Sequence, residues 1–258
     1  EMRPGDWSSD VCSSDLRNMR RESNPALAAG FEKAVSDGTT MTVGGTIVKI
    51  LIMTAILGVA FVYSWIAFQN PDVNYKSALV VSLGGSLILG LLTSFIPKIA
   101  QFTAVFYAAF EGVLLGSISR YFESMFPGIV FPAMLLTIIC LVATVLIYRR
   151  TPNIAGRISR GVFIAIISIG AIYLLGMVLS FFGITLPIYG SGIIGIGFSL
   201  FVVAIATASL IMDYDFILKA SQYGYPKYME WYGAFGLMVT LIWLYTEILN
   251  LLAKFSEN

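Results

Sequence analysis

Seven apolar stretches dominate this chain of 258 residues, and each is long enough to cross a bilayer. A helix rises about 1.5 Å per residue, so roughly 20 residues span the ~30 Å hydrocarbon core. Charged residues make up 12% of the chain, about half of the share of roughly 25% that is usual in soluble domains. We therefore predict an all-α fold, a seven-transmembrane helix bundle. Its spans lie at about 46–68, 77–96, 100–118, 129–148, 161–183, 190–217 and 231–255.

The segment before the first span divides into two parts. Residues 1–18 include GDWSSDVCSSDL, which resembles the translation of sequencing-adapter read-through. We interpret them as a non-native leader and place the natural start near Met19; a disordered polar tail is the alternative, and neither interpretation gives them a function. Residues 19–45 are charged and rich in glycine. We predict that they form a cytoplasmic N-terminal segment before a transmembrane domain at 46–255.

Basic residues are distributed unevenly between the two sides of the predicted bundle. They are usually enriched in the cytoplasmic connections of membrane proteins. With the N-terminus inside, the inner ones are Arg17, Arg20, Arg21, Lys33, Lys98, Arg149, Arg150, Arg157, Arg160, Lys219 and Lys227, and the outer ones are Lys76, Arg120 and Lys254. This asymmetry predicts a cytoplasmic N-terminus and an external C-terminus.

The residue types that usually carry catalysis or bind metals are scarce. The chain has no histidine, and its two cysteines, Cys12 and Cys140, fall in the leader and in an apolar span. A disulfide framework, a thiolate metal site and a Ser–His pair are therefore not expected, and no Walker A loop or HExxH motif is present. Proton chemistry near neutral pH then depends on carboxyl groups. We expect no enzymatic activity, no resident cofactor and no nucleic-acid binding.

The last span carries an acid deep inside it. Glu247 follows more than a dozen mostly apolar residues, and Thr240, Glu247 and Lys254 recur every seven residues. Seven residues are nearly two helical turns, so these side chains lie on one side of the helix, which we expect to face protein or water. A carboxyl group at this depth costs roughly 2.5 kcal/mol or more to insert, which by default indicates a functional site. A neutral acid hydrogen-bonded to a neighbouring helix is the structural alternative.

Three other acids are candidates. Asp213 ends a series of small residues in the sixth span that would let a neighbouring helix approach closely, although an acid at a helix end is also readily solvated. Asp215 is expected at the interface. Glu111, in the third span, is either functional or part of a polar helix–helix contact with Gly112.

Two C-terminal segments together resemble the transmembrane Bax inhibitor motif family. The segment DYDFI at 213–217 resembles that family's D-x-Q-x-I, and LYTEILNL at 244–251 resembles its L-Y-L-D-x-[IL]-N-L. The likeness covers roughly residues 45–255 and extends to the number of spans and the orientation. It implies a bundle with the last helix at its centre. The sequence is similar to the bacterial branch, which implies a bacterial inner (plasma) membrane.

The resemblance also implies a function. Characterised members are described as pH-sensitive calcium leak channels, in which a hydrogen-bonded pair of aspartates on the last two helices controls opening. Asp213 matches the first of these acids and Glu247 the second, which would make them the pH sensor, the gate and the oxygen ligands along a calcium path. This sequence departs from the pattern in three ways. The second acid is a glutamate, Asp215 replaces a polar amide, and the connection SQYGYPKYMEW is longer than in the shorter bacterial members.

A pH-dependent switch is expected if the carboxyl groups of Asp213 and Glu247 are in contact. Neighbouring carboxyl groups share one proton and titrate as a unit. Loss of that proton would place two negative charges side by side, which opens the path and attracts a divalent cation. Lys98 or Arg149 is expected near the cytoplasmic end of the pair, with Asp215 and Glu111 as further supporting acids.

The sequence leaves three functions open. The first is the pH-gated cation leak, with calcium as the permeant ion. The second is a proton-coupled transporter that uses the same acids. The third is a non-transporting regulator that binds a membrane protease or another partner. In each case we expect a monomer in contact with the lipid bilayer.

Overall fold

The computed structural model describes residues 39–69 and 75–257 of the chain. These residues form seven long α-helices: α1 Val43–Ala67, α2 Tyr75–Phe95, α3 Ala100–Met125, α4 Val130–Arg150, α5 Ile154–Phe181, α6 Ile193–Gln222 and α7 Met229–Ser256. Each is long and apolar enough to cross a membrane, which confirms the predicted all-α bundle of seven transmembrane helices. The predicted leader at 1–18 and most of the predicted segment at 19–45 lie outside the described residues.

Some helices continue beyond the apolar stretches that predict them. α5 begins at Ile154 rather than near residue 161, and α6 continues to Gln222. The added turns carry exposed charged side chains such as Arg157 and Lys219. The backbone stays helical there because unpaired peptide groups close to hydrocarbon are costly. The length of an apolar stretch therefore locates a membrane span but underestimates the length of the helix that contains it.

Successive helices run in opposite directions, so the bundle has two ends. We call the end at which α1, α3, α5 and α7 begin the N-face, and the end at which α7 finishes the C-face. At the N-face the chain before α1 lies beside the α6–α7 connection, where the N–H of Met41 donates to the carbonyl of Tyr225 over 2.6 Å. The hydroxyl of Thr42 then caps α1 by accepting a hydrogen bond of 2.9 Å from the N–H of Gly45.

α3 and α7 form the interior of the bundle. About half of the most apolar stretch of each is buried, against a third or less in the other helices. α7 packs against α1, α3, α4 and α6, and its Leu244 and Leu249 are completely buried together with Leu210 of α6. The last helix is therefore central, as expected, and α3 shares that position.

Gly112 brings α1 and α3 into close contact. A Cβ atom at this position would collide with the carbonyl of Leu57 and the side chain of Ala60. Close approach of this kind is typical of small residues between membrane helices. Both members of the Glu111–Gly112 pair thus lie at helix–helix contacts, the glycine against α1 and the acid beside Ser86 of α2.

Candidate functional site

A cavity of about 610 Å³ lies between α2, α3, α6 and α7, and two of the predicted acids line it. It occupies the N-face half of the bundle, because its α7 lining comes from the first half of that helix. We call it the acidic cavity. It is lined by Leu83, Ser86, Leu87, Gly90, Leu91, Ser94, Tyr107, Glu111, Asp213, Phe216, Tyr232, Gly233, Phe235, Gly236 and Val239.

Asp213 reaches this cavity from α6. Its carboxyl faces the hydroxyl of Thr240 on α7, and its Oδ2 is buried with no hydrogen-bond partner among the described residues. A buried carboxyl oxygen without a donor is unfavourable. Hydrogen-bond donors of the described chain therefore do not balance the charge of this oxygen when Asp213 is ionised.

Glu111 reaches the same cavity from α3. It is 8% exposed, and the hydroxyls of Ser86 and Tyr107 lie beside its carboxyl as hydrogen-bond donors. Gly112, the next residue, faces α1, so the carboxyl points away from the α1–α3 contact. The structure thus brings Asp213 and Glu111, which was expected as a supporting acid, to one cavity.

Glu247 lies in the C-face half of α7 and is bound by α5. The hydroxyl of Tyr173 donates a hydrogen bond of 2.6 Å to its Oε1. Thr240, Glu247 and Lys254 are all buried, which confirms that the polar side of the last span faces protein. Tyr173 was not among the predicted site residues. A tyrosine in the middle of a span usually needs a polar partner, and that signal could have identified it.

Lys254 is buried, although the sequence placed it among the outer basic residues. Its Nζ donates hydrogen bonds to the carbonyls of Ile188 and Gly195, over 2.6 and 3.2 Å, and to the hydroxyl of Ser199, over 2.8 Å. Gly195 and Ser199 are small residues in the first two turns of α6, and they leave room for the lysine side chain. Lys254 therefore joins the end of α7 to the start of α6.

Asp213 and Glu247 are not in contact in this structure. The short connection between α6 and α7 sets the register of these antiparallel helices so that Asp213 faces Thr240. Glu247 lies seven residues beyond Thr240 on the same helix, a rise of about 10 Å. The expected hydrogen-bonded pair is therefore not formed, and the two acids occupy separate levels of the bundle.

The remaining predicted residues lie near the N-face. Asp215 forms an ion pair of 2.7 Å with Lys219 and accepts a hydrogen bond of 3.2 Å from Tyr148. Lys98 and Arg149 are exposed. Within residues 39–69 and 75–257, neither forms an ion pair with an acid.

An acid that the sequence did not single out fastens α1 to α7 at the N-face. Glu230 is 1% exposed, accepts hydrogen bonds from the N–H and hydroxyl of Thr42 over 3.0 and 2.9 Å, and forms an ion pair of 2.8 Å with Lys49. A Cβ atom on Gly45 would collide with the Glu230 carboxyl. Nothing in the sequence marks Glu230, because acids are common in the first turn of a helix.

The candidate acids do not form a metal cluster. The described residues contain no group of three or more cysteine, aspartate or glutamate side chains that could hold a metal ion. Glu111 and Asp213 are accompanied by hydroxyl groups instead. Two acids with hydroxyl neighbours offer fewer carboxylate oxygens than a typical calcium site, in which six to eight oxygen atoms bind the ion.

Comparisons with known proteins identify a family. A family model described as Bax inhibitor 1 like matches residues 16–257. Searches of curated proteins and of solved structures gave no match.

Proposed function

Because this chain belongs to the Bax inhibitor 1-like family, we propose that it is a membrane leak pathway for cations, calcium in particular, and that protonation of carboxyl groups controls it. The proposed path runs along α7, from the acidic cavity at the N-face past Asp213 and Glu247 to the C-face. The family resemblance supplies the class of activity, and the positions of these acids support it.

The observation that carries the proposal is the state of Asp213. Its Oδ2 is buried without a hydrogen-bond partner in the described part of the chain, and its side chain lines the acidic cavity. Hard divalent cations take oxygen ligands. Asp213, Glu111 and the hydroxyls beside them offer such ligands in a chain that has no histidine.

An apolar layer separates Asp213 from Glu247. Leu210 is one turn from Asp213 towards the C-face, and Leu244 lies between Thr240 and Glu247; both leucines are completely buried and belong to one cluster. A dry apolar constriction stops ions. We assign this arrangement to a closed state, from which conduction requires α6 and α7 to separate at the two leucines.

Protonation of the two acids determines whether calcium flux rises or falls with pH. A protonated carboxyl group carries no charge that attracts a cation, whereas an ionised one attracts cations and water into surroundings of low dielectric constant. With one acid on each side of the apolar layer, ionisation draws water towards the layer from both sides. Calcium flux is therefore expected to rise with pH, and no proton shared between the two acids is needed.

The proposal assigns the chain a passive, non-enzymatic role without a resident cofactor. A single chain suffices, because the cavity and both acids lie within one bundle. We place it in a bacterial plasma membrane with the N-face towards the cytoplasm, following the distribution of basic residues.

Calcium entry into liposomes that contain the purified full chain and a trapped calcium dye tests the proposal. Flux would be followed from mildly acidic to mildly alkaline pH for the wild type, Asp213→Asn and Glu247→Gln. Each variant keeps the shape of the side chain and removes its ionisation. Glu257→Gln, an equivalent change at an exposed residue beyond α7, is the control.

We expect flux that rises with pH in the wild type and the control. Each variant should show lower flux with a weaker pH dependence, because only the other acid still ionises. Normal pH-dependent flux in both variants would show that the acids are structural. The absence of calcium flux in the wild type would leave a regulator that binds a membrane protease, or a proton-coupled transporter, as the better explanation.

A further inference from the structure

We propose that the acidic cavity is a binding site for a lipophilic organic cation, of the quaternary ammonium or phosphonium class, that enters from the membrane. This inference concerns the walls and the mouth of the cavity and does not depend on calcium conduction.

The mouth of the cavity opens at the lipid-facing surface. Leu83, Leu87 and Leu91 of α2 line it and are 56%, 62% and 50% exposed. All three belong to a helix that is apolar enough to span the membrane, so their exposed surfaces contact lipid tails. A lipophilic molecule dissolved in the bilayer can therefore reach the cavity without crossing water.

One wall of the cavity is a continuous series of aromatic rings. Tyr107 and Phe235 meet edge to face with their ring centroids 5.0 Å apart. Phe235 and Tyr232 follow at 6.5 Å, and Tyr232 and Phe216 at 6.2 Å. Phe216 is 38% exposed, so this series extends from the interior to the surface. Aromatic faces attract cations that have little hydration to lose.

The charge of the cavity has one sign. Glu111 and Asp213 line it, and no lysine or arginine is among the described residues that do so. Oδ2 of Asp213 has no hydrogen-bond partner within the described structure, so protein donors leave the charge of this carboxyl group only partly balanced. A positive charge held between the aromatic wall and this carboxyl group would be favoured by both.

The size and the composition of the walls together indicate an organic cation. The volume of about 610 Å³ lies within the range of roughly 300–1,000 Å³ found for sites that hold drug-sized ligands. Calcium would occupy a small part of this space and would gain nothing from the leucines and aromatic rings, because it requires oxygen ligands. A bulky cation with a buried charge can contact the leucines, the rings and the carboxyl groups at once.

Binding of radiolabelled tetraphenylphosphonium to the full chain in detergent, by equilibrium dialysis, tests the inference. Tetraphenylborate, an anion of the same shape, controls for partition into the micelle. We expect saturable binding of about one tetraphenylphosphonium per chain and no saturable binding of the borate. Asp213→Asn and Glu111→Gln together should weaken binding at least ~10-fold, since each removes a charge from a partly desolvated site.

Tyr232→Leu tests the aromatic wall without changing charge and should weaken binding by roughly 3- to 10-fold. Glu257→Gln should bind as the wild type does, and monodisperse gel filtration of every variant should establish that it folds. Equal binding of the cation and the anion, or unchanged affinity in both the double variant and Tyr232→Leu, would overturn the inference. Binding without calcium flux would contradict only the proposed leak, and flux without binding would contradict only this site.

Discussion

The hydroxyl of Tyr173 lies 2.6 Å from Oε1 of Glu247, so α5 supplies the hydrogen-bond donor for the deepest acid of α7. α6 holds the same half of α7 through the hydrogen bond of 2.8 Å between Lys254 and Ser199. An opening of the bundle towards the C-face must therefore break polar contacts as well as apolar packing. Single substitutions can remove these contacts one at a time.

Tyr173→Phe should lower the free energy of unfolding by about 1–3 kcal/mol, because it leaves a buried carboxyl oxygen of Glu247 without its donor. Thermal or denaturant unfolding of the purified chain in detergent would measure the change. Tyr63→Phe is the matched control, since the side chain of Tyr63 is largely exposed and its loss should change stability by no more than ~0.5 kcal/mol. If the two variants were equally stable, the hydrogen bond would not be formed in solution.

Gly45→Ala should destabilise the chain by about 1–3 kcal/mol, because the added methyl group collides with the carboxyl of Glu230. Gly44→Ala changes the neighbouring residue in the same way, and a Cβ atom there meets nothing within 4 Å. Since alanine favours a helix more than glycine does, Gly44→Ala should leave stability unchanged or raise it by up to ~1 kcal/mol. Unfolding in detergent compares the two, and similar values would mean that Glu230 does not occupy the position beside Gly45.

The spans and the buried side of α7 could be predicted from the sequence, because both depend on spacing within one helix. Thr240, Glu247 and Lys254 share a side in any α-helix, whatever surrounds it. The cost of placing polar groups in lipid then turns that side towards protein. No knowledge of other helices is required for this step.

The partners of these residues could not be predicted, because they depend on how distant helices are rotated and aligned. Glu247 and its donor Tyr173 are 74 residues apart in sequence, and Lys254 and the carbonyl of Ile188 are 66 apart. Asp213 faces Thr240 rather than Glu247 because of the register of α6 against α7. A turn with Gly224 in the left-handed region, at φ 67°, connects these helices, and a shift of two helical turns would have produced the expected pair.

A reporter fused to the C-terminus should be active only outside the cytoplasm. The described residues contain seven helices that can cross a membrane, an odd number, and basic residues concentrate on the side that is predicted to carry the N-terminus. Burial of Lys254 removes one of the three outer basic residues and strengthens the asymmetry. A phosphatase that requires an oxidising compartment and a fluorescent protein that requires the cytoplasm give opposite readouts. Cytoplasmic activity of the fusion would contradict the proposed orientation.

Lys254→Met should increase calcium flux and lower stability. The methionine side chain has nearly the same length but donates no hydrogen bonds, so the carbonyls of Ile188 and Gly195 lose a donor, at a cost of about 2 kcal/mol or more. It also removes a positive charge from the C-face end of the proposed path. Liposome flux and unfolding would be compared with Lys227→Met, a change at an exposed lysine of the N-face. Unchanged flux in a folded Lys254→Met protein would place Lys254 outside the path.

Asp213 and Glu247 should contribute independently to the free energy of unfolding. Asp213 faces Thr240 of α7, which is about 10 Å along the helix axis from Glu247. Leu210 and Leu244, both completely buried, lie between the two acids. Effects of changes that far apart usually add within about 0.5 kcal/mol. The unfolding free energies of Asp213→Asn, Glu247→Gln and the double variant would complete a double-mutant cycle in detergent at one pH.

A pair of carboxyl groups that share a proton would behave differently in that cycle. The first substitution would remove one of the two carboxyl groups that share the proton. The second substitution would then lower the free energy of unfolding only slightly, so the interaction energy would exceed ~1 kcal/mol. A value of that size would mean that α6 slides along α7 to bring the two acids together in solution. A value near zero would place the pH response in two separate acids, with the leucine layer between them as the element that must open.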